Sequence, residues 1–162
     1  MADTSVFGNV YLWGSGKDGR LGNGKFSNEA TPTVIKDIRF SKIVCGYHNS
    51  FGVSQEGLVY GWGRNENGQL GNGTNINTPI PINVTGFNKI TIVDIACGWQ
   101  HCLALSIEGY LFSWGCGDDG QLGHGDDYDL STPAEVKFFE KTQVTKIACG
   151  YSQSAAITGN ID

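Results

Sequence analysis

Two glycine-rich runs in this chain are written like phosphate cradles. Gly14-Ser15-Gly16-Lys17-Asp18-Gly19 and Gly115-Cys116-Gly117-Asp118-Asp119-Gly120 both fit GxGxxG directly after an apolar segment. In a dinucleotide site such a turn lets the backbone approach a pyrophosphate at the N-terminus of the helix that follows. Here no helix is written. Each run leads through further glycines to a proline, Pro32 or Pro133, without apolar residues at helical spacing. Residues 19–25 imitate GxxxxGK in the same way, but Phe26 stands where a magnesium-binding Ser or Thr belongs. No nucleotide, and no other cofactor, is predicted from these runs.

The remaining reactive side chains point away from catalysis as well. Of three histidines, His48 and His124 fall in turn sequences, and His101 reads as a packed structural imidazole. The acidic run Asp118, Asp119, Asp126, Asp127, Asp129 lacks the D-x-D-x-DG order and closing Glu of a calcium loop, so it reads as a solvated acidic surface. Five cysteines cannot all pair and show no CxxC spacing for zinc. Cys45, Cys97 and Cys149 each follow an apolar segment and precede Gly, which suits small packing residues; Cys102 and Cys116 read as free thiols. No catalytic and no metal-ligating residue is predicted, and an enzyme is not expected.

What must hold these residues is a tandem repeat. Tyr11-Leu12-Trp13-Gly14 followed by Gly19-Arg20-Leu21-Gly22-Asn23-Gly24 recurs as Tyr60-Gly61-Trp62-Gly63 with Gly68-Gln69-Leu70-Gly71-Asn72-Gly73. A third copy reads Phe112-Ser113-Trp114-Gly115 with Gly120-Gln121-Leu122-Gly123-His124-Gly125. The tryptophans are 49 and 52 residues apart and the Cys-Gly cysteines 52 and 52. A fixed period near fifty marks a repeat architecture. Period-two alternation bounded by Gly, Asn and Pro predicts four strands per repeat: the Trp strand, a strand after the Pro (33–35, 80–84, 134–136), one before Cys-Gly (42–44, 92–96, 144–148) and one after it (50–53, 102–105, 154–157). Four antiparallel strands in tandem units make β-propeller blades, so the fold class is all-β. One repeat domain over 1–162 is expected, with repeats at 8–56, 57–108 and 109–160. Trp13, Trp62 and Trp114 are expected to fill the wedges between neighbouring blades, with Leu21, Leu70 and Leu122 pinning positive-φ glycine turns to the core.

The Trp-Asp dipeptide of the forty-residue propeller class is missing, and so is the Gly-Gly doublet of kelch repeats. The run VYxWGxxxxGQLGxG, then TP, then IACGxxHxxAL closely resembles the repeat of the regulator of chromosome condensation family, and the likeness covers residues 8–160. His101 matches the family's His after Cys-Gly, which Asn49 and Gln153 replace in the sister copies. The resemblance implies a non-catalytic disc that docks proteins. Members include the nucleotide-exchange factor of the small GTPase Ran, modules of ubiquitin ligases, kinases and ciliary proteins, and a plant ultraviolet-B photoreceptor. The exchange factor uses a protruding insertion for which these short repeats have no room. The photoreceptor branch has Gly-Trp-Arg-His-Thr, approached once here by Gly98-Trp99-Gln100-His101-Cys102 without the Arg. A protein-interaction module is therefore the leading expectation, with guanine-nucleotide exchange on a Ran-like GTPase as the alternative.

Charge narrows the partner. Residues 8–56 carry six Lys/Arg against four Asp/Glu, whereas 109–162 carry three against eight, within a net charge of −5. An acidic chain with its strongest patch negative suits a protein partner with a basic face rather than nucleic-acid phosphates. No run of eighteen apolar residues is present and residues 1–5 lack the pattern of a signal peptide, so no membrane partner is expected and the setting is taken as cytoplasmic or nuclear. Tyr47-His48, Trp99-Gln100 and Tyr151-Ser152 share one repeat phase immediately after Cys-Gly, and are the candidate partner-binding residues. Family propellers close with seven blades, about 360 residues at this period, within the four to eight that propellers use. Three repeats make an open arc, for which either a longer parent chain or self-association is expected.

Overall fold

The computed structural model describes residues 8–159; residues 1–7 and 160–162, including the start of the chain and the final Asn160-Ile161-Asp162, lie outside the described residues. The strands are β1 (Gly8–Gly14), β2 (Glu29–Cys45), β3 (Asn49–Ser54), β4 (Val59–Gly63), β5 (Thr78–Asn83), β6 (Ile92–Cys97), β7 (His101–Ser106), β8 (Leu111–Gly115), β9 (Leu130–Glu135), β10 (Val144–Cys149) and β11 (Ser154–Thr158). Every pairing is antiparallel between sequence neighbours. The chain is an open, propeller-like array of blades, as the period near fifty predicts. Among the described residues, no helix is long and apolar enough to cross a membrane.

The blades do not coincide with the sequence repeats. A complete blade is β6-β7-β8-β9, which joins the two Cys-Gly strands of the second repeat to the Trp and Pro strands of the third. The preceding blade is the second part of β2 with β3, β4 and β5. Half-blades are left at both ends: β1 with the first part of β2, and β10 with β11. The offset is physical in origin. Trp62 and Trp114 anchor on a loop of the previous repeat, while the hairpin from Cys-Gly to the next Trp strand is short enough to pair directly.

In the first repeat the predicted Pro and Cys strands are one continuous β2. The chain swings from pairing with β1 to pairing with β3 near Asp37, whose φ of 66° marks the bend. At the corresponding point of the second repeat a loop carries the positive φ instead, at Asn88 and Lys89.

Three apolar clusters fill the spaces between blades. Phe51, Leu70, Phe87, Phe112 and Trp114 lie between the two complete blades; Leu12, Leu21, Phe40 and Trp62 sit on their N-terminal side; Leu103, Leu105, Leu111, Val136 and Val144 sit on the C-terminal side. Strands covered on both faces read as buried at every position, as β3 and β7 do. This is why Cys102-Leu103-Ala104-Leu105 is a continuous apolar run rather than an alternating one.

Each buried Trp is fixed by one backbone carbonyl. The Trp62 Nε1–H donates to Arg20 O at 3.0 Å and that of Trp114 to Gln69 O at 2.8 Å. Both carbonyls belong to the Gly-x-Leu-Gly turn of the preceding repeat, and Leu21, Leu70 and Leu122 are buried as expected. Gly71 shows why the turn is glycine: its φ is 68°, and a Cβ there would meet the Trp114 Nε1 at 2.8 Å.

Two packing expectations are corrected. Trp13 is not core: it is 61% exposed, because among the described residues no Gly-x-Leu-Gly turn packs against it. Cys45 is exposed, and Cys97 and Cys149 only half-buried, because they end the inner strands that border the opening of the array. Cys102 and Cys116 are the buried thiols.

Candidate functional site on the Cys-Gly face

The three Cys-Gly turns converge. Cys45, Tyr47, Cys97, Trp99, Cys149 and Tyr151 line a single shallow cleft of about 400 Å³. Strands separated by one period of about fifty residues lie side by side as the inner strands of successive blades, so identical turn positions come together on one face. Trp99 and Tyr151 stack with centroids 4.5 Å apart and an 18° interplanar angle. The backbone locks that pair, since the Trp99 N–H donates to Tyr151 O at 3.0 Å. Tyr47 packs edge-on against His48, at 4.6 Å, and both Tyr47 and Tyr151 are more than half exposed.

The other predicted positions serve the same face differently. The Gln100 Nε2–H donates to Asn67 Oδ1 at 3.0 Å, tying the turn to the neighbouring glycine loop. Ser152 is half-buried and bonds only locally, its N–H donating to Gln153 Oε1 at 3.3 Å. His48 is more than a turn residue. Arg20 donates through Nη2 to its Nδ1 and to Asp18 Oδ2, and through Nη1 to Tyr47 O at 3.1 Å. Burial first, then the Arg20 guanidinium, hold the His48 pKa below its ordinary value, which keeps the ring neutral and able to accept. Sequence reasoning missed Arg20 and Asp18, because they stand nearly thirty residues from Tyr47 and only the side-by-side blades bring them there.

His101 is fully buried. Its Nε2 meets Ser154 Oγ at 3.0 Å, and that hydroxyl donates to Gln121 O at 2.7 Å. Its pKa is lowered by burial. The ring thus clamps one blade to the next, as the structural reading of this position expects.

The glycine loops emerge on the same face, because antiparallel pairing ends β6 and β8 at the same end of the blade. This puts the acidic run of 118–129 beside the aromatic cleft. Cys116, Asp118 and Asp129 bring ligand-type atoms within 4.8 Å of one another, but Asp129 is already engaged by its own fold: its Oδ1 accepts from the Gly117 N–H and its Oδ2 from Asn67 Nδ2. The GxGxxG runs are followed by turns, the first containing only the three-residue 3-10 segment Lys17–Gly19, so neither presents an α-helix N-terminus.

The regulator of chromosome condensation (RCC1) repeat profile matches residues 8–53, 56–105 and 108–157. A second profile of that repeat matches 40–69 and 92–121, stretches that start with the inner strand of each complete blade. The chain is 38% identical over 159 residues to the ultraviolet-B receptor UVR8 of Arabidopsis thaliana, covering 94% of this chain and 36% of that protein. It is 36% identical over 156 residues to the E3 ubiquitin-protein ligase HERC2 of Homo sapiens, covering 93% of this chain and 3% of that one. Human WBSCR16 superposes with a TM-score of 0.83 at 25% identity, over 92% of this chain and 40% of that structure. Prp20p of Saccharomyces cerevisiae, a structure reported with its binding to Gsp1p and histones, gives a TM-score of 0.81 at 21% identity over 95% of this chain and 40% of that one, which is a likeness of fold. The chain spans about a third of the length of the first curated relatives it matches. With three matched repeats over most of its length and the blade geometry they specify, this chain belongs to the regulator of chromosome condensation repeat family.

Proposed function

We propose that the chain is a non-catalytic protein-interaction module whose docking face is the Cys-Gly face, with Tyr47, Trp99 and Tyr151 as aromatic anchors and His48, Gln100 and Ser152 around them. The observation that carries this reading is the convergence of three homologous turns on one cleft beside an acidic loop. Exposed aromatics in a concave, loop-built site are the residue type that dominates binding energy at interfaces. The neighbouring Asp118, Asp119, Asp126 and Asp127 favour a partner with a basic surface.

The test is paired affinity capture with the wild-type chain, a Tyr47→Ala/Trp99→Ala variant and a Phe138→Ala control. Phe138 is 85% exposed and lies in the β9–β10 connection, at the opposite end of the blades. Partners that bind the first and third proteins but not the second support the reading; equal capture by all three contradicts it. Nucleotide release from a panel of small GTPases, measured with the same proteins, separates docking from exchange activity.

A further inference from the structure

We infer that the two ends of this chain are complementary halves of one blade, and that a second copy of the chain docks head to tail by seating its Trp13 in a cavity beside Gln121. Two filled examples define what belongs there. Arg20 O accepts from both the Trp62 Nε1–H and Ser50 Oγ, at 3.0 and 2.9 Å. Gln69 O accepts from the Trp114 Nε1–H at 2.8 Å and from the Cys102 thiol at 3.6 Å. The third carbonyl, Gln121 O, accepts among the described residues only from Ser154 Oγ, at 2.7 Å. Where the indole would lie there is instead a cavity of about 350 Å³, lined by Leu103, Leu122, Gly123, Val136 and Phe139 among others.

The surrounding glycines tell the same story. A Cβ on Gly68 or Gly71 would collide with Ser131 or Trp114 of the next repeat, at 2.5 and 2.8 Å. At the equivalent Gly120 nothing lies within 4 Å, and at Gly123 the nearest atom is Val136 Cγ1, at 3.5 Å. Among the described residues the strand edge is unpartnered too. β11 has only β10 beside it and is largely exposed, whereas β3 and β7, at the same blade position, are buried along their whole length.

The N-terminal half-blade offers what is missing. Trp13 is 61% exposed on β1, and among the described residues only β2 pairs with that strand, leaving its inner edge open. In the complete blades Ser50 pairs with Trp62 and Cys102 with Trp114. The same register sets Ser154 opposite Trp13 of the second copy, Ala156 opposite its Tyr11 and Ile157 opposite its Val10. A further backbone bond follows from Gly24 N–H to Pro79 O and Gly73 N–H to Ser131 O, at 2.8 and 2.9 Å: Gly125 N–H would donate to Ala30 O of the second copy. The contact brings the net-positive first repeat against the acidic third, so attraction adds to fit. Two copies supply four complete and two composite blades, a six-bladed ring within the range that propellers use. Such a head-to-tail contact is heterologous, and it closes into a ring only where the rotation between the two copies completes the circle; otherwise further copies extend it.

Sedimentation of the 162-residue chain across micromolar concentrations tests this, with tryptophan fluorescence followed in parallel. The expected result is a dimer of 17.4 kDa units whose emission shifts to the blue on association. Trp13→Ala should weaken association by roughly 30-fold or more without loss of fold, and its open cavity should then bind a peptide of sequence GNVYLWG but not GNVYLAG. A chain that stays monomeric at tens of micromolar overturns the proposal even if it binds the peptide, since the cavity would then serve a strand from elsewhere. Association unchanged by Trp13→Ala overturns it equally.

Discussion

Trp114→Ala isolates the interaction that joins one repeat to the next. The ring is fully buried, edge-on to Phe51 and Phe87 with centroids 6.0 and 5.9 Å away, and its N–H donates to Gln69 O. A buried aromatic truncated to Ala costs about 3–5 kcal/mol from lost transfer energy and the cavity left behind. Losing the donor leaves Gln69 O with only the weak Cys102 thiol, for about 1 kcal/mol more. The expected loss is therefore about 4–6 kcal/mol, a large share of a typical domain's stability. At roughly 2–4 °C per kcal/mol for a chain of this size, Tm should fall by about 8–24 °C. Trp114→Phe keeps an aromatic ring edge-on to Phe51 and Phe87 and loses the donor, so about 1–3 kcal/mol is expected. Trp13→Ala, at the same repeat position but exposed, should stay within about 0.5 kcal/mol in dilute monomer. Urea and thermal unfolding followed by circular dichroism give all three values. A Trp114→Ala loss below about 1 kcal/mol, or a Trp13→Ala loss equal to it, would refute the account of inter-repeat packing.

Three further outcomes are expected. Tyr47→Ala should leave Tm almost unmoved, whereas Trp99→Ala loses its stack on Tyr151, about 0.5–1.5 kcal/mol; a double-mutant cycle on Trp99 and Tyr151 reads that coupling directly. Iodoacetamide at pH 8 should modify Cys45 first, since it is exposed, while burial holds Cys102 well above the ordinary thiol range and Cys149 at about 12; mass mapping of the alkylated sites checks the order. Because burial lowers the His101 pKa from 6.5 in the folded state, the unfolded chain takes up the proton first, and stability should fall as pH drops below about 6.5 toward the folded value. His101→Gln should flatten that part of the stability–pH curve, measured by urea unfolding at pH 7.5, 6.5 and 5.5.

The strands of the second and third repeats, the burial of Trp62 and Trp114 and that of Leu21, Leu70 and Leu122 were legible because each rests on local spacing. The register of blades was not. A repeat read from the sequence has no natural starting point, and only strand pairing shows that Cys102 sits opposite Trp114 in one blade while Trp62 and Leu70 of one sequence repeat belong to different packing layers. Trp13 was assigned to the core for the same reason as its sisters, since burial depends on a neighbouring turn that its own residues cannot reveal. The merging of two strands into β2 turns on Asp37 adopting positive φ, for which an isolated Asp gives only a weak signal. The shared position of Tyr47, Trp99 and Tyr151 was legible by phase alone: residues after each Cys-Gly were expected on one face, and these three line one cleft. The Arg20-His48-Asp18 cluster beside it has no sequence signal, because its members meet only through the stacking of successive blades.

Photo-crosslinking is the most direct test of the docking face. Benzoylphenylalanine placed separately at 47, 99 and 151, and at 138 on the opposite end of the blades, reports what touches each position in a cell extract. The account predicts that the first three positions capture the same protein, that position 138 does not, and that added salt weakens capture through the acidic loop. Capture of that protein from 138, or from none of the three turn positions, would contradict it.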